Sequence, residues 1–131
     1  LDLAWHQLDP AQTLDVAAFE QAALAEIDLI DAVDPRYKST YFQHIFTSDS
    51  YSAGYYSYIW AEVLDADGFE AFLENGLFDP ATASAFRENV LERGGSEDPM
   101  VLYRNFRGRD PQVGPLLRNR GLAAADAVSA A

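Results

Sequence analysis

Two histidines, seven tyrosines and no cysteine set the chemistry open to this 131-residue chain. Disulfides and thiolate chemistry are excluded. A zinc site on a helix needs two histidines one turn apart and a third ligand, whereas His6 and His44 stand 38 residues apart and Glu62 is isolated. By ligand count, no metal ligand set is expected in this chain alone. Hydrogen-bond donors are concentrated instead. The stretch 41–64, YFQHIFTSDSYSAGYYSYIWAEVL, holds one of the two histidines, one of the two tryptophans and five of the seven tyrosines. On one helix, Tyr51, Tyr55, Tyr58 and Glu62 fall within about 60° of one another. Ala53, Tyr56, Trp60, Val63 and Leu64 then gather on the opposite side as a packing face, so the tyrosine stripe is left over from core-building. From residue types alone two readings stand: His44 and the tyrosines face a ligand, or His44 packs in the core while the tyrosines join helices through their hydroxyls. His6 reads as a surface or core-edge histidine.

The elements that must position these side chains are punctuated by Asp-Pro pairs. Five of the six prolines follow an aspartate, at Asp9, Asp34, Asp79, Asp98 and Asp110. An aspartate accepts from the free N–H groups of a helix start, and proline at the first helical position loses no hydrogen bond. Helical spacing of Val16, Phe19, Ala23, Ile27 and Ile30 predicts a helix over about 15–31. A short helix or extended piece over 37–46 enters the polar loop 47–50. A long helix runs from Tyr51 to Asn75, bent near Gly68, with Gly76 ending it. Shorter helices follow over 79–93, 98–107 with Val101, Leu102 and Phe106 inward, and 115–121. No hairpin chemistry or repeat stands out, so the fold class is all-α, an irregular helical domain built around one long central helix. Residues 123–131 form a weakly ordered tail.

A net charge of −12 argues against nucleic-acid partners, because phosphate neutralisation needs clustered Lys and Arg. The charge is uneven. The first 34 residues carry no Lys or Arg, while Arg87, Arg93, Arg104, Arg107, Arg109, Arg118 and Arg120 crowd the other end. Attraction between an acidic front and a basic back explains this simply; the sharper reading has an arginine gripping a carboxylate as a bidentate pair. No apolar run spans a membrane and no signal peptide is evident. The expectation is a soluble, cytoplasmic protein, unless a targeting segment lies outside these residues. LDLAWHQL at the start lacks a cap or turn and reads like the cut end of an element.

His44-Ile45-Phe46, then Tyr51-Ser52-Ala53-Gly54-Tyr55-Tyr56-Ser57-Tyr58, then Trp60-Ala61-Glu62-Val63-Leu64 resemble the segment after the zinc site in thimet-oligopeptidase-like zinc metallopeptidases, most like the bacterial peptidyl-dipeptidase branch. Phe72-Leu73-Glu74-Asn75-Gly76-Leu77, Arg93-Gly94-Gly95-Ser96-Glu97-Asp98, Phe106-Arg107-Gly108 and Arg120-Gly121-Leu122 are similar to that family's C-terminal tail in order and spacing. The resemblance covers residues 1–122. It implies the C-terminal portion of a larger helical metallopeptidase fold.

The resemblance also implies roles. In the family, a histidine before a glycine-rich loop and tyrosines after it bind substrate and stabilise the transition state; they match His44 and Tyr55 for transition-state stabilisation, Tyr58 for substrate contact and Tyr51 for a mobile-loop contact. Where the family carries a glycine pair, this chain has Thr47-Ser48-Asp49-Ser50. The family's HExxH helix and downstream glutamate are absent, so zinc belongs to the full-length enzyme. Implied partners are short peptides and a zinc-bearing N-terminal part of the same enzyme, with self-association through a face cut from its other half. A second reading is a stand-alone all-α remnant that dimerises or binds peptides without hydrolysing them. The coding sequence upstream of Leu1 discriminates between them.

Overall fold

The computed structural model describes residues 1–9 and 11–123. All regular elements among them are helical, so the chain is all-α. It divides into two compact units, Leu1–Ser57 and Tyr58–Ala131. The expected tail lies outside the described residues from 124 onward, as does Pro10.

The first unit holds α1 (Asp2–His6), α2 (Val16–Ala25), a 3₁₀ turn (Ser39–Tyr41) and α3 (Gln43–Phe46). Asp15 caps α2, accepting from the Ala18 N–H at 2.8 Å. The apolar spacing runs on to Ile30, yet the helix stops at Ala25. Asp28 takes the left-handed conformation (φ 52°), and the Leu29 N–H returns to the Leu24 carbonyl at 3.2 Å. Aspartate tolerates that conformation better than most residues, so it fills the C-terminal position that glycine usually takes. Ile27 and Ile30 consequently stay 67 % and 64 % exposed rather than joining a core. Buried Ser39 ties the unit together: its N–H and hydroxyl both donate to Glu20 (2.6 and 2.8 Å), and its oxygen accepts from the Trp5 indole at 2.8 Å. Trp5 packs on Phe19 with ring centroids 4.2 Å apart, and Ile45 and Phe42 are the buried apolar side chains.

The long helix, α4, spans Ser57–Asn75 rather than starting at Tyr51. Residues 51–56 form turns. The Tyr51–Tyr55–Tyr58–Glu62 stripe therefore does not exist as a helix face. Ala53 sits at φ 57°, and the N–H groups of Ala53 and Tyr55 donate to the Asp2 carboxylate instead of to helical carbonyls. The helix then continues through Gly68 without a break.

In the second unit α4 buries Val63, Ala66, Asp67 and Ala71, an i, i+3, i+4, i+8 stripe. Trp60, expected inward, is 44 % exposed, and Val63 alone of the expected packing face is buried. Asp79 caps α5 (Pro80–Phe86), accepting from the Thr82 N–H at 2.7 Å. The expected continuation to Arg93 becomes a π-helical turn over Arg87–Leu91. The Asn89 side chain donates to the Ala85 carbonyl at 2.8 Å, competing with the backbone for that acceptor. Asp98 caps α6 (Pro99–Arg107), and Gly108 at φ 73° ends it. Tyr103, absent from the expected core, is buried beside Leu102, whereas Val101 is 40 % exposed. Pro115 lies in the first turn of α7 (Gly114–Asn119), whose Leu116 packs with Val63 and Ala66. Of the four Asp-Pro pairs that lie wholly within the described residues, two thus start helices; Asp34 faces Lys38 and Asp110 faces Arg104.

Candidate functional site

His44 belongs to α3, a single turn anchored by Ile45, which is 1 % exposed. With its neighbour fixed inward, the His44 side chain is left exposed. Tyr51 and Tyr55 reach it from the turn that follows. The His44 ring centroid lies 5.1 Å from that of Tyr51 and 5.9 Å from that of Tyr55, the latter edge to face. Tyr55 is held from behind by Phe42, 4.8 Å away, which in turn stacks on Tyr37 at 5.0 Å. Three of the four expected site residues therefore share one cluster inside the first unit. Tyr58, 47 % exposed in the first turn of α4, belongs to the second unit.

His44 is not among the buried residues of its unit. Nor does the tyrosine grouping come from a helix stripe. Loop closure brings Tyr51 and Tyr55 to His44, and the sequence signal for it was Asp2, fifty or so residues away, whose role no local pattern reveals. The loop itself is glycine-free at 47–50: the Thr47 hydroxyl donates to the Gln43 carbonyl, prolonging α3 by a side-chain bond.

Among the described residues no three His, Cys, Asp or Glu side chains converge as a metal ligand set. The residues present do not fit zinc, and the chemistry they can perform is donation from imidazole and phenol to an anionic oxygen.

The second unit holds an ionic network that periodicity did not reveal. Asp67, 0 % exposed, takes a bidentate pair from Arg109 (2.7 and 2.9 Å) and a hydrogen bond from the Tyr103 hydroxyl. Arg107 forms its own bidentate pair with Glu74 at 3.0 and 3.1 Å, its Nε 3.8 Å from Asp67. Burial opposes ionisation of Asp67, but Arg109, Tyr103 and the Arg107 charge together hold its carboxyl below the usual range. Burial first, then Asp67, push the Tyr103 phenol up, so it stays neutral. Arg118 pairs with Glu70 at 2.7 Å, and Arg120 with Glu62. Arg87, Arg93 and Arg104 meet Glu88 and Glu92, Glu97, and Asp110 respectively. Each of these arginines thus meets an acid of its own unit. An aspartate inside the stripe Val63, Ala66, Ala71, followed by arginines at 104–109, was the available signal.

No helix is long and apolar enough to cross a membrane among the described residues. Compared with known families, residues 1–122 match Peptidase family M3. Oligopeptidase A of Haemophilus influenzae is 43 % identical over 117 residues, covering 89 % of this chain and 17 % of that protein. Dipeptidyl carboxypeptidase of Escherichia coli K12 is 44 % identical over 124 residues, covering 93 % of this chain and 18 % of that protein. Oligopeptidase A of the same strain is 47 % identical over 102 residues, covering 76 % and 15 %. This chain therefore spans less than a fifth of the length of these relatives. Because that family match takes in residues 1–122, nearly the whole described length, the chain belongs to peptidase family M3.

Proposed function

We propose that this chain supplies the substrate-facing part of a zinc metallopeptidase that hydrolyses short peptides, with the zinc-bearing part contributed by polypeptide outside these residues. The observation that carries the reading is the exposed His44 ring against Tyr51 and Tyr55. Attack of water on a peptide carbonyl places negative charge on the carbonyl oxygen. Donors already oriented toward that position lower the barrier, each contributing on the order of 10²-fold to 10³-fold. His44 and Tyr55 are assigned that donation, and Tyr51 and Tyr58 the substrate contacts. Tyr55 suits the role because Phe42 and Tyr37 fix its ring, so little conformational freedom remains to be lost when it donates.

Release of dipeptides, as in a peptidyl-dipeptidase, is our narrower reading. Its support is the likeness to the dipeptidyl carboxypeptidase, although oligopeptidase A is matched at a similar identity. The deciding experiment is product analysis of the complete protein on peptides of five to ten residues with free and amidated C-termini. Stepwise dipeptides from free C-termini support the narrower reading; internal cuts that ignore amidation support the oligopeptidase type. A coding sequence with no in-frame zinc-binding segment upstream of Leu1 would leave the peptide-binding remnant as the better account.

A further inference from the structure

Asp2 is buried at 7 % exposure, and its carboxylate is divided between two backbone donors. Oδ1 accepts from the Ala53 N–H at 2.9 Å and Oδ2 from the Tyr55 N–H at 2.8 Å. The His6 Nδ1 lies 2.9 Å from Oδ1, one helical turn away on the same element. That element also touches the segment carrying His44: Phe46, two residues after it, packs against Trp5 and His6 with centroids 6.1 and 5.9 Å apart. A single short helix therefore holds both halves of the cluster, His44 through Phe46 and Tyr55 through Asp2.

The turn needs such a hold. Ala53 is left-handed at φ 57°, a conformation that an L-residue with a side chain keeps only when its surroundings over-determine it. Two charge-assisted bonds to a fixed carboxylate do that. They also withhold the Ala53 and Tyr55 N–H groups from helical pairing, so α4 cannot extend back to Tyr51 and rotate Tyr55 away from His44.

The geometry points to Asp2 as a positioning residue: its carboxylate sets the 51–56 turn and thereby places Tyr55 beside His44. This rests on the reading of His44 and Tyr55 as oxyanion donors only for its catalytic consequence; the placement itself is a separate claim.

Asp2→Asn is the informative change, because it keeps size and one acceptor while turning an N–H donor toward one of the two backbone N–H groups. In the 131-residue chain, amide exchange at Ala53 and Tyr55 and the His44 ring-proton shifts report the placement. Exchange at both amides is expected to rise at least tenfold, with His44 ring signals moving and those of Tyr103 unchanged. In the complete enzyme kcat is expected to fall about tenfold to a hundredfold, as small misplacements do, with KM changed less than threefold. Asp2→Glu, which keeps the charge, recovers part of the loss. Unchanged His44 and Tyr55 signals in Asp2→Asn overturn the proposal, and so do changes spread equally over Tyr103. If Tyr55→Phe leaves kcat intact while Asp2→Asn still moves the His44 ring, the oxyanion reading falls and the placement stands. If Tyr55→Phe lowers kcat but Asp2→Asn moves neither signals nor kcat, the placement falls and the oxyanion reading stands.

Discussion

The Tyr103 hydroxyl donates to the carboxylate of Asp67, joining α6 to α4 at a position with no solvent exposure. Tyr103→Phe removes that donor alone and leaves the Arg109 pair. A hydrogen bond to a charged group contributes about 1.5–3 kcal/mol, so a loss in that range is expected in urea unfolding. Asp67→Asn should cost more, about 3–5 kcal/mol, because it leaves buried positive charge uncompensated. An Asp67→Asn variant as stable as the parent would show that the network is dispensable.

Acid should weaken the second unit for the same reason. Asp67 is held below its ordinary 3.8 despite burial, by Arg109, Tyr103 and the Arg107 charge. Glu74 is held below 4.5, chiefly by the Arg107 hydrogen bond. A carboxyl whose folded-state value is depressed adds stability that is fully present above its unfolded value and is lost as pH falls through the folded one. Unfolding free energy should therefore be flat from pH 7 to about 5 and decline below about pH 4.5, less steeply in Asp67→Asn. Equal acid limbs in the two proteins would contradict this.

Ala53→Gly separates a turn from a helix at this position. In a helix interior the change costs about 0.5–1 kcal/mol. At φ 57° it relieves the left-handed penalty of about 1–2 kcal/mol, offset by the greater freedom of glycine in the unfolded chain. Stability unchanged or raised by up to about 1 kcal/mol is the expected result. A thermal melt showing a clear loss would favour a helix beginning at Tyr51.

Exposed apolar surface should make the isolated chain sticky. Trp60, Leu64, Phe69, Phe72, Phe86 and Met100 are among the residues lining an open groove of about 460 Å³ in the second unit, and Phe78 is 94 % exposed. Surface of this kind marks an interaction face. Concentration-dependent association in sedimentation and binding of a hydrophobic dye are expected, with neither changed by a chelator. One monomer species and no dye signal at high concentration would count against it.

What the sequence made legible was local. Capping aspartates at 79 and 98 and the terminal glycines at 76 and 108 are encoded within a few residues of where they act, and they start and end helices as read. These misreadings have two causes, a partner far along the chain and an unusual residue in a left-handed turn. Asp28 ends α2 where periodicity would continue it. Asp2 reaches 51 and 53 residues forward and converts the start of the expected long helix into a turn. Asp67 is an acid on a buried face whose partners Tyr103 and Arg109 lie 36 and 42 residues further along. His44, Tyr51 and Tyr55 were grouped by resemblance, and folding brings them together by a route that helical spacing did not predict.

The central claim is that Tyr55 and His44 act on the reacting carbonyl rather than on the fold, and Tyr55→Phe in the complete enzyme tests it most directly. The ring keeps its contacts with Phe42 and Tyr37, so only the hydroxyl is lost. The account predicts a fall in kcat of on the order of 10²-fold to 10³-fold, with KM nearly constant and the melting temperature unmoved. A kcat within about threefold of the parent, together with a melting temperature lower by several degrees, about 1 kcal/mol of stability, would contradict it.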